Sequence, residues 1–82
     1  MKGINMNGLV VEGRRIKNAD GRALRWDRGT RSVDLGWSRE TVNRTVYYDF
    51  DESRGDYRYF IIYHGQVVEV KSSMWGYWHT VK

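Results

Sequence analysis

The sequence has no cysteine, no proline, very little alanine or leucine, and no long apolar run. Without cysteine there is neither a disulfide nor a thiolate metal site, so stability must come from packing and hydrogen bonds. That absence also fits a reducing compartment. Without proline, the turns fall to glycine, asparagine and aspartate, and glycine occurs nine times at intervals. No stretch approaches the roughly 18 apolar residues of a membrane helix, and Met1 to Asn7 lacks a signal-peptide core. The expectation is a cytoplasmic chain with no membrane partner. Alanine and leucine together number five, whereas Val, Ile, Thr, Tyr, Phe and Trp number 29. That ratio favours strands over helices.

Twelve aromatic residues and thirteen Val or Ile supply the apolar surface that disordered chains lack, despite a mean hydropathy of −0.72. Residues 1–82 are read as a single domain. A chain this short buries only somewhat more than about 60% of its unfolded surface. Its core is therefore thin, and a homodimer that completes it across a two-fold axis is an open alternative.

The clearest pattern runs from Arg44 to Lys71, where two hairpins can be drawn independently. A four-residue loop at Glu52 to Gly55 places Phe50 opposite Tyr57, Tyr48 opposite Tyr59 and Val46 opposite Ile61. A two-residue turn at His64 and Gly65 places Ile61 opposite Val68 and Tyr59 opposite Val70. Both turns put the same residues on one apolar face. The other face is mixed, with Tyr47, Asp49, Arg58, Phe60, Ile62, Val67 and Glu69, and asks for partial cover. Arg58 falls opposite Asp49 there and is expected to neutralise it.

The first half reads as a second meander: Leu9 to Asn18, Arg22 to Asp27 and Thr30 to Trp37, with turns at Ala19-Asp20-Gly21 and Arg28-Gly29. In that register Ile16 faces Leu24, and Leu24 faces Val33. Arg15 then comes opposite Arg25, with Lys17 and Arg28 close by, an arrangement of like charges that costs a fold stability. Between the halves, Ser38 to Asn43 suits a single helical turn capped by Ser38, and Thr41 to Phe50 is mostly strand. Met74 to Val81 reads as a last strand kinked at Gly76. The sum is an all-β fold: a small antiparallel barrel or meander sandwich, SH3-like or OB-like in kind.

Charge is uneven along the chain. Residues 1–45 carry ten Lys or Arg against five Asp or Glu, and residues 46–82 carry four against five. An arginine-rich segment interleaved with tryptophan suits phosphate backbones, because each cation releases counterions and arginine adds a bidentate fork. The candidate binding residues are Arg15, Lys17, Arg25 and Arg28, widened by Arg14, Arg31 and Trp37, with Arg22 alongside. Trp26 shares a row with Ile16 and Leu24 and is expected in the core, its edge covered by Arg14 or Arg31. Of Trp75, Tyr77 and Trp78, at least one ring must face outward if the segment is a strand.

Asp49, Asp51, Glu52 and Asp56 form an acidic patch, but a calcium loop counted from Asp49 needs glycine at position 54, which is Arg54. No metal or other cofactor is expected. His64 and His79 are the only side chains suited to acid–base work near neutral pH. The segment Asp56 to Val70, Asp-Tyr-Arg-Tyr-Phe-Ile-Ile-Tyr-His-Gly-Gln-Val-Val-Glu-Val, resembles the closing hairpin of RelE-type toxin ribonucleases. That resemblance implies action on RNA by late Arg, Tyr and His residues. The family has helices ahead of its sheet, where this chain has strands, and no triad or acid–base pair can be assembled.

Two functions from different classes fit these features. The first is a non-enzymatic β domain that binds nucleic acid, DNA or RNA, through the basic, tryptophan-bearing first half. The second is a protein-binding inhibitor or adaptor that presents arginine and tryptophan anchors to the acidic surface of a nucleic-acid-handling protein. Small accessory proteins of phages and mobile elements, anti-CRISPR proteins among them, act in that second way.

Overall fold

The computed structural model describes residues 8–81, and among them every regular element is a strand. In order these are β1 (Val10–Glu12), β2 (Arg15–Lys17), β3 (Arg25–Trp26), β4 (Arg31–Asp34), β5 (Thr41–Arg44), β6 (Tyr47–Asp51), β7 (Asp56–Tyr63), β8 (Gln66–Ser72) and β9 (Trp78–Thr80). β1 and β2 form a small antiparallel sheet, and the rest form a seven-stranded sheet in the order β3-β6-β7-β8-β9-β4-β5. All neighbouring pairs are antiparallel except β4 and β9, which run parallel.

The large sheet has to curl. β5 and β6 lie five strand spacings apart in the sheet order, roughly 24 Å if the sheet were flat. Only Thr45 and Val46 separate them in sequence, and three Cα steps reach at most about 11 Å. The edges are therefore brought back toward each other, giving a half-barrel compatible with a small barrel or meander fold.

The β6–β8 meander has the expected register. Phe50 pairs with Tyr57, Tyr48 with Tyr59, Ile61 with Val68 and Tyr59 with Val70. Its second turn uses left-handed backbone at both central residues, His64 at φ 49° and Gly65 at φ 76°, as a type I′ hairpin requires. Because side chains alternate, neighbouring residues feed separate cores. Tyr47, Phe60 and Val67 pack with Leu9, Ile16 and Leu24, under the β1–β2 hairpin. Val46, Ile61 and Val70 pack on the other face with Val33 and Leu35, and Val42, Tyr59, Tyr63, Val68 and Trp78 adjoin them.

The first half departs from its expected meander. Leu9 to Asn18 is not one strand: it folds back at Gly13-Arg14, where Gly13 takes φ 61°, and the hairpin so made lets Ile16 cap a core. The Ala19–Gly21 loop is as expected, with Asn18 Oδ1 accepting from Asp20 and Arg22 N–H. Lys17 bridges Ala23, and Leu24 N–H donates to the Ile16 carbonyl at 2.8 Å. Past Leu24 the chain parts from β2. Arg15 pairs with Glu12, Arg25 pairs with Tyr48, and no described ladder sets Arg15 against Arg25. Val33 faces Val42 and Trp78 instead of Leu24, because the chain crosses to the other side of the half-barrel after Asp27.

Three smaller expectations also change. Ser38 to Asn43 forms no helix: a turn closed by Ser38 and Arg39 N–H onto the Leu35 carbonyl leads directly into β5. The β-branched residues Thr41 and Val42 favour the strand there. The last strand is only Trp78–Thr80, since Ser73 and Gly76 close a turn that takes up Met74 to Gly76. Trp26 is exposed instead of buried, because β3 sits at the sheet edge and the ring leans on Tyr47 at 6.3 Å.

Candidate functional site

Tyr48 and Phe50 on β6, Tyr57 and Tyr59 on β7, and Trp78 on β9 share one face of the sheet. Val, Ile and aromatic side chains favour such pleated surfaces, and two of these contacts are direct cross-strand pairs, each worth about 0.2–1 kcal/mol. Ring centroids lie 5.2 Å apart for Phe50–Tyr57, 6.1 Å for Tyr48–Tyr57, 6.2 Å for Tyr48–Tyr59 and 5.3 Å for Tyr59–Trp78. The result is one continuous aromatic row. At its inner end Tyr59 and Trp78 join the core. At its outer end Phe50 and Tyr57 remain 48% and 43% exposed.

Arginines border that outer end. Arg25 stands opposite Tyr48 in the β3–β6 ladder, and Arg22 and Arg25 line a cleft with Tyr48, Phe50 and Tyr57. Tyr48 and Tyr57 also line a broader groove that continues along Tyr59, Ser72 and Trp78. Among the described residues no carboxylate pairs with Arg22, Arg25 or Arg28. Asp27, which borders the groove, is engaged by Arg31 at 3.7 Å.

The other candidate residues go elsewhere. The Arg15 guanidinium sits 5.1 Å from the Trp26 ring, taking the place expected for Arg14 or Arg31; Arg31 instead starts β4 and reaches Asp27. Tyr47 O–H donates to the Arg14 carbonyl, and burial raises the Tyr47 phenol above its ordinary range while Arg14 and Arg15 oppose the shift. Lys17 pairs with Glu12 at 3.3 Å. Arg28 lies exposed in the bend after β3. Tyr47 and Tyr48 point to opposite faces, so Arg15 and Arg25 serve different surfaces. Of the first-half arginines, Arg22 and Arg25 are thus the ones brought to the aromatic row, while Arg54 and Lys71 of the second half line the adjoining groove.

Trp37 belongs to a second cluster. Its ring lies 5.9 Å from Tyr63, which stacks on His64 at 4.0 Å and carries the Arg44 guanidinium at 5.4 Å. Tyr63 and Tyr57 stand at opposite ends of β7, roughly 20 Å apart along the strand. A third exposed group is the β8–β9 turn, where Met74, Trp75 and Tyr77 are 89%, 79% and 70% exposed. Ser73 Oγ accepts from Trp75 and Tyr77 N–H and holds that turn.

Arg58 stands opposite Asp49 as expected, but its guanidinium is directed elsewhere. Nε and Nη2 donate to the two Glu69 oxygens at 2.9 and 2.5 Å, and Nη1 reaches Asp51 at 3.5 Å. Glu69 on β8 accepts through both carboxylate oxygens, the strong bidentate arrangement for arginine. The Glu69 hydrogen bond raises the Arg58 pKa further. Asp51 is held below the ordinary carboxylate range, first by the Ser53 hydroxyl and then by Ser53 and Arg54 N–H and Arg58, against a smaller opposing effect of burial. His79 Nδ1 lies 3.3 Å from the Thr80 carbonyl, and among the described residues neither histidine pairs with a carboxylate. No group of three or more His, Asp or Glu among the described residues is placed to hold a metal ion. No helix among them is long and apolar enough to cross a membrane.

The β6–β7 part of the row is legible in the sequence as cross-strand pairs on one apolar face, but its continuation to Trp78 and its exposed end are not. The missing information was how far the covering strands extend. No family model, curated protein or solved structure matches this chain.

Proposed function

We propose that this chain is a non-enzymatic binding module for nucleic acid, holding phosphates with arginines from its first half beside an aromatic surface. The observation that carries this reading is the cleft in which Arg22 and Arg25 meet Tyr48, Phe50 and Tyr57. Cations at the edge of exposed rings provide phosphate attraction and stacking in one place. Labelled DNA and RNA oligonucleotides titrated by fluorescence anisotropy should bind with an affinity that falls steeply with salt. Replacing Arg22 and Arg25 together with Ser should flatten the log–log salt slope by about two. Affinity no better than millimolar at low salt sinks the proposal.

A second reading, a protein-binding inhibitor or adaptor, draws on a separate observation: the Met74, Trp75 and Tyr77 side chains project from one ordered turn. Exposed Trp and Tyr are typical interface anchors. Pull-down from lysate with and without nuclease separates the two. A partner that survives nuclease and is lost with Trp75→Ser supports the second reading.

A further inference from the structure

We infer that the Phe50–Tyr57 corner seats an unpaired base, so that the module selects single-stranded over duplex nucleic acid; this rests on the nucleic-acid reading above. The two rings are direct cross-strand partners with planes 80° apart and centroids at 5.2 Å. Together they form a right-angled notch. A flat ring laid on one of them presents its edge to the other, satisfying stacking and edge-to-face contact at once. Both rings are nearly half exposed, and neither belongs to either core.

The occupant is chosen by the surroundings of the notch. Arg22 and Arg25 line the same cleft together with Asp49, whose side chain alternates to the opposite face of β6 from Tyr48 and Phe50, so a ligand that joins negative charge to a planar ring, as a nucleotide does, suits it. Bases in a duplex are stacked on each other and hide their faces, and only an unpaired base can lie on a side chain. The row then continues from Tyr57 through Tyr48 and Tyr59 toward Trp78, giving the bases a path along a groove of mixed charge, where Arg54 and Lys71 as well as Asp27 and Asp56 form part of the lining. A neutral sugar would also stack on the rings and accept hydrogen bonds from the arginines, but it brings no negative charge to pair with them.

The test compares four probes of equal length: a single-stranded oligonucleotide, its duplex, an abasic sugar–phosphate strand, and a neutral oligosaccharide. The single strand should bind the unaltered protein at least tenfold more tightly than the duplex or the abasic strand. The double variant Phe50→Ser Tyr57→Ser should lose roughly tenfold or more for the single strand, with an unchanged salt slope. Its loss should vanish on the abasic strand, since the two changes remove the same contact. An abasic strand that binds unaltered protein as well as the intact one overturns the inference while leaving the nucleic-acid function standing, and does so whether or not the variant folds. Failure of every nucleic-acid probe, or binding of the oligosaccharide alone, overturns both.

Discussion

Phe60 and Ile61 are neighbours in the chain and belong to different cores. The Phe60 face of the β6–β8 meander is closed by the β1–β2 hairpin, and its arginine, Arg58, is consumed by Glu69 and Asp51 of the same face. The Ile61 face is closed at one end by residues of β4, β5 and β9. At its other end it stays open as an aromatic row edged by Arg22 and Arg25. The same alternating strand residues therefore do two jobs. Where a covering strand arrives they are core, and where none arrives they are available surface. Arg58 on the closed face is a structural ion-pair partner, whereas Arg22 and Arg25 at the open end have no carboxylate partner among the described residues.

The comparison can be broken most forcefully by truncating each core in turn. Phe60→Ala and Ile61→Ala should each lower unfolding free energy by about 3–4 kcal/mol, because both side chains are fully enclosed. If the faces form one cooperative unit, circular dichroism and tryptophan fluorescence will report coincident urea transitions for both variants. Separate transitions in Phe60→Ala would make the β1–β2 hairpin an independent lid.

A smaller effect tests the ion pair on the closed face. Arg58→Ala leaves the Glu69 carboxylate without its bidentate partner and should cost about 2–3 kcal/mol, less than a fully enclosed pair because water still reaches it. Replacing both partners, Arg58→Met with Glu69→Leu, should restore stability to within about 1 kcal/mol of the natural protein. A double variant as unstable as the single one would show that the pair contributes more than charge compensation.

The smallest effect concerns pH. Asp51 is held below its usual range in the folded chain, so its carboxylate adds stability above the unfolded-state value of about 3.9. That contribution is lost as pH falls through the lower, folded value. Between pH 6 and 2, taken as a span around those values, the urea midpoint of Asp51→Asn should fall less than that of the natural chain. Parallel curves for the two proteins would remove Ser53 and Arg58 as the cause.

What could be read in advance follows the range of the forces involved. Alternation along β6, β7 and β8 and the turns at Glu52–Gly55 and His64-Gly65 are dictated within a few residues, and the register they predict is the one observed. Gly13 marks the turn between β1 and β2, but a single glycine within Leu9 to Asn18 is also compatible with one bulged strand. Composition grouped the candidate arginines but could not sort them by face or partner. Lys17 and Arg31 are paired with Glu12 and Asp27, and Arg15 lies over Trp26.

By itself the sequence determined a cysteine-free all-β chain, the pairing of its central meander, and an excess of cations in its first half. Only the tertiary structure decided which face each arginine serves and where the covering strands stop. The physical reason is that strand period and turn geometry act locally. Closure instead depends on the two-residue link from β5 to β6 and on the parallel pairing of β4 with the distant β9, which curl the sheet and leave the Phe50–Tyr57 end open.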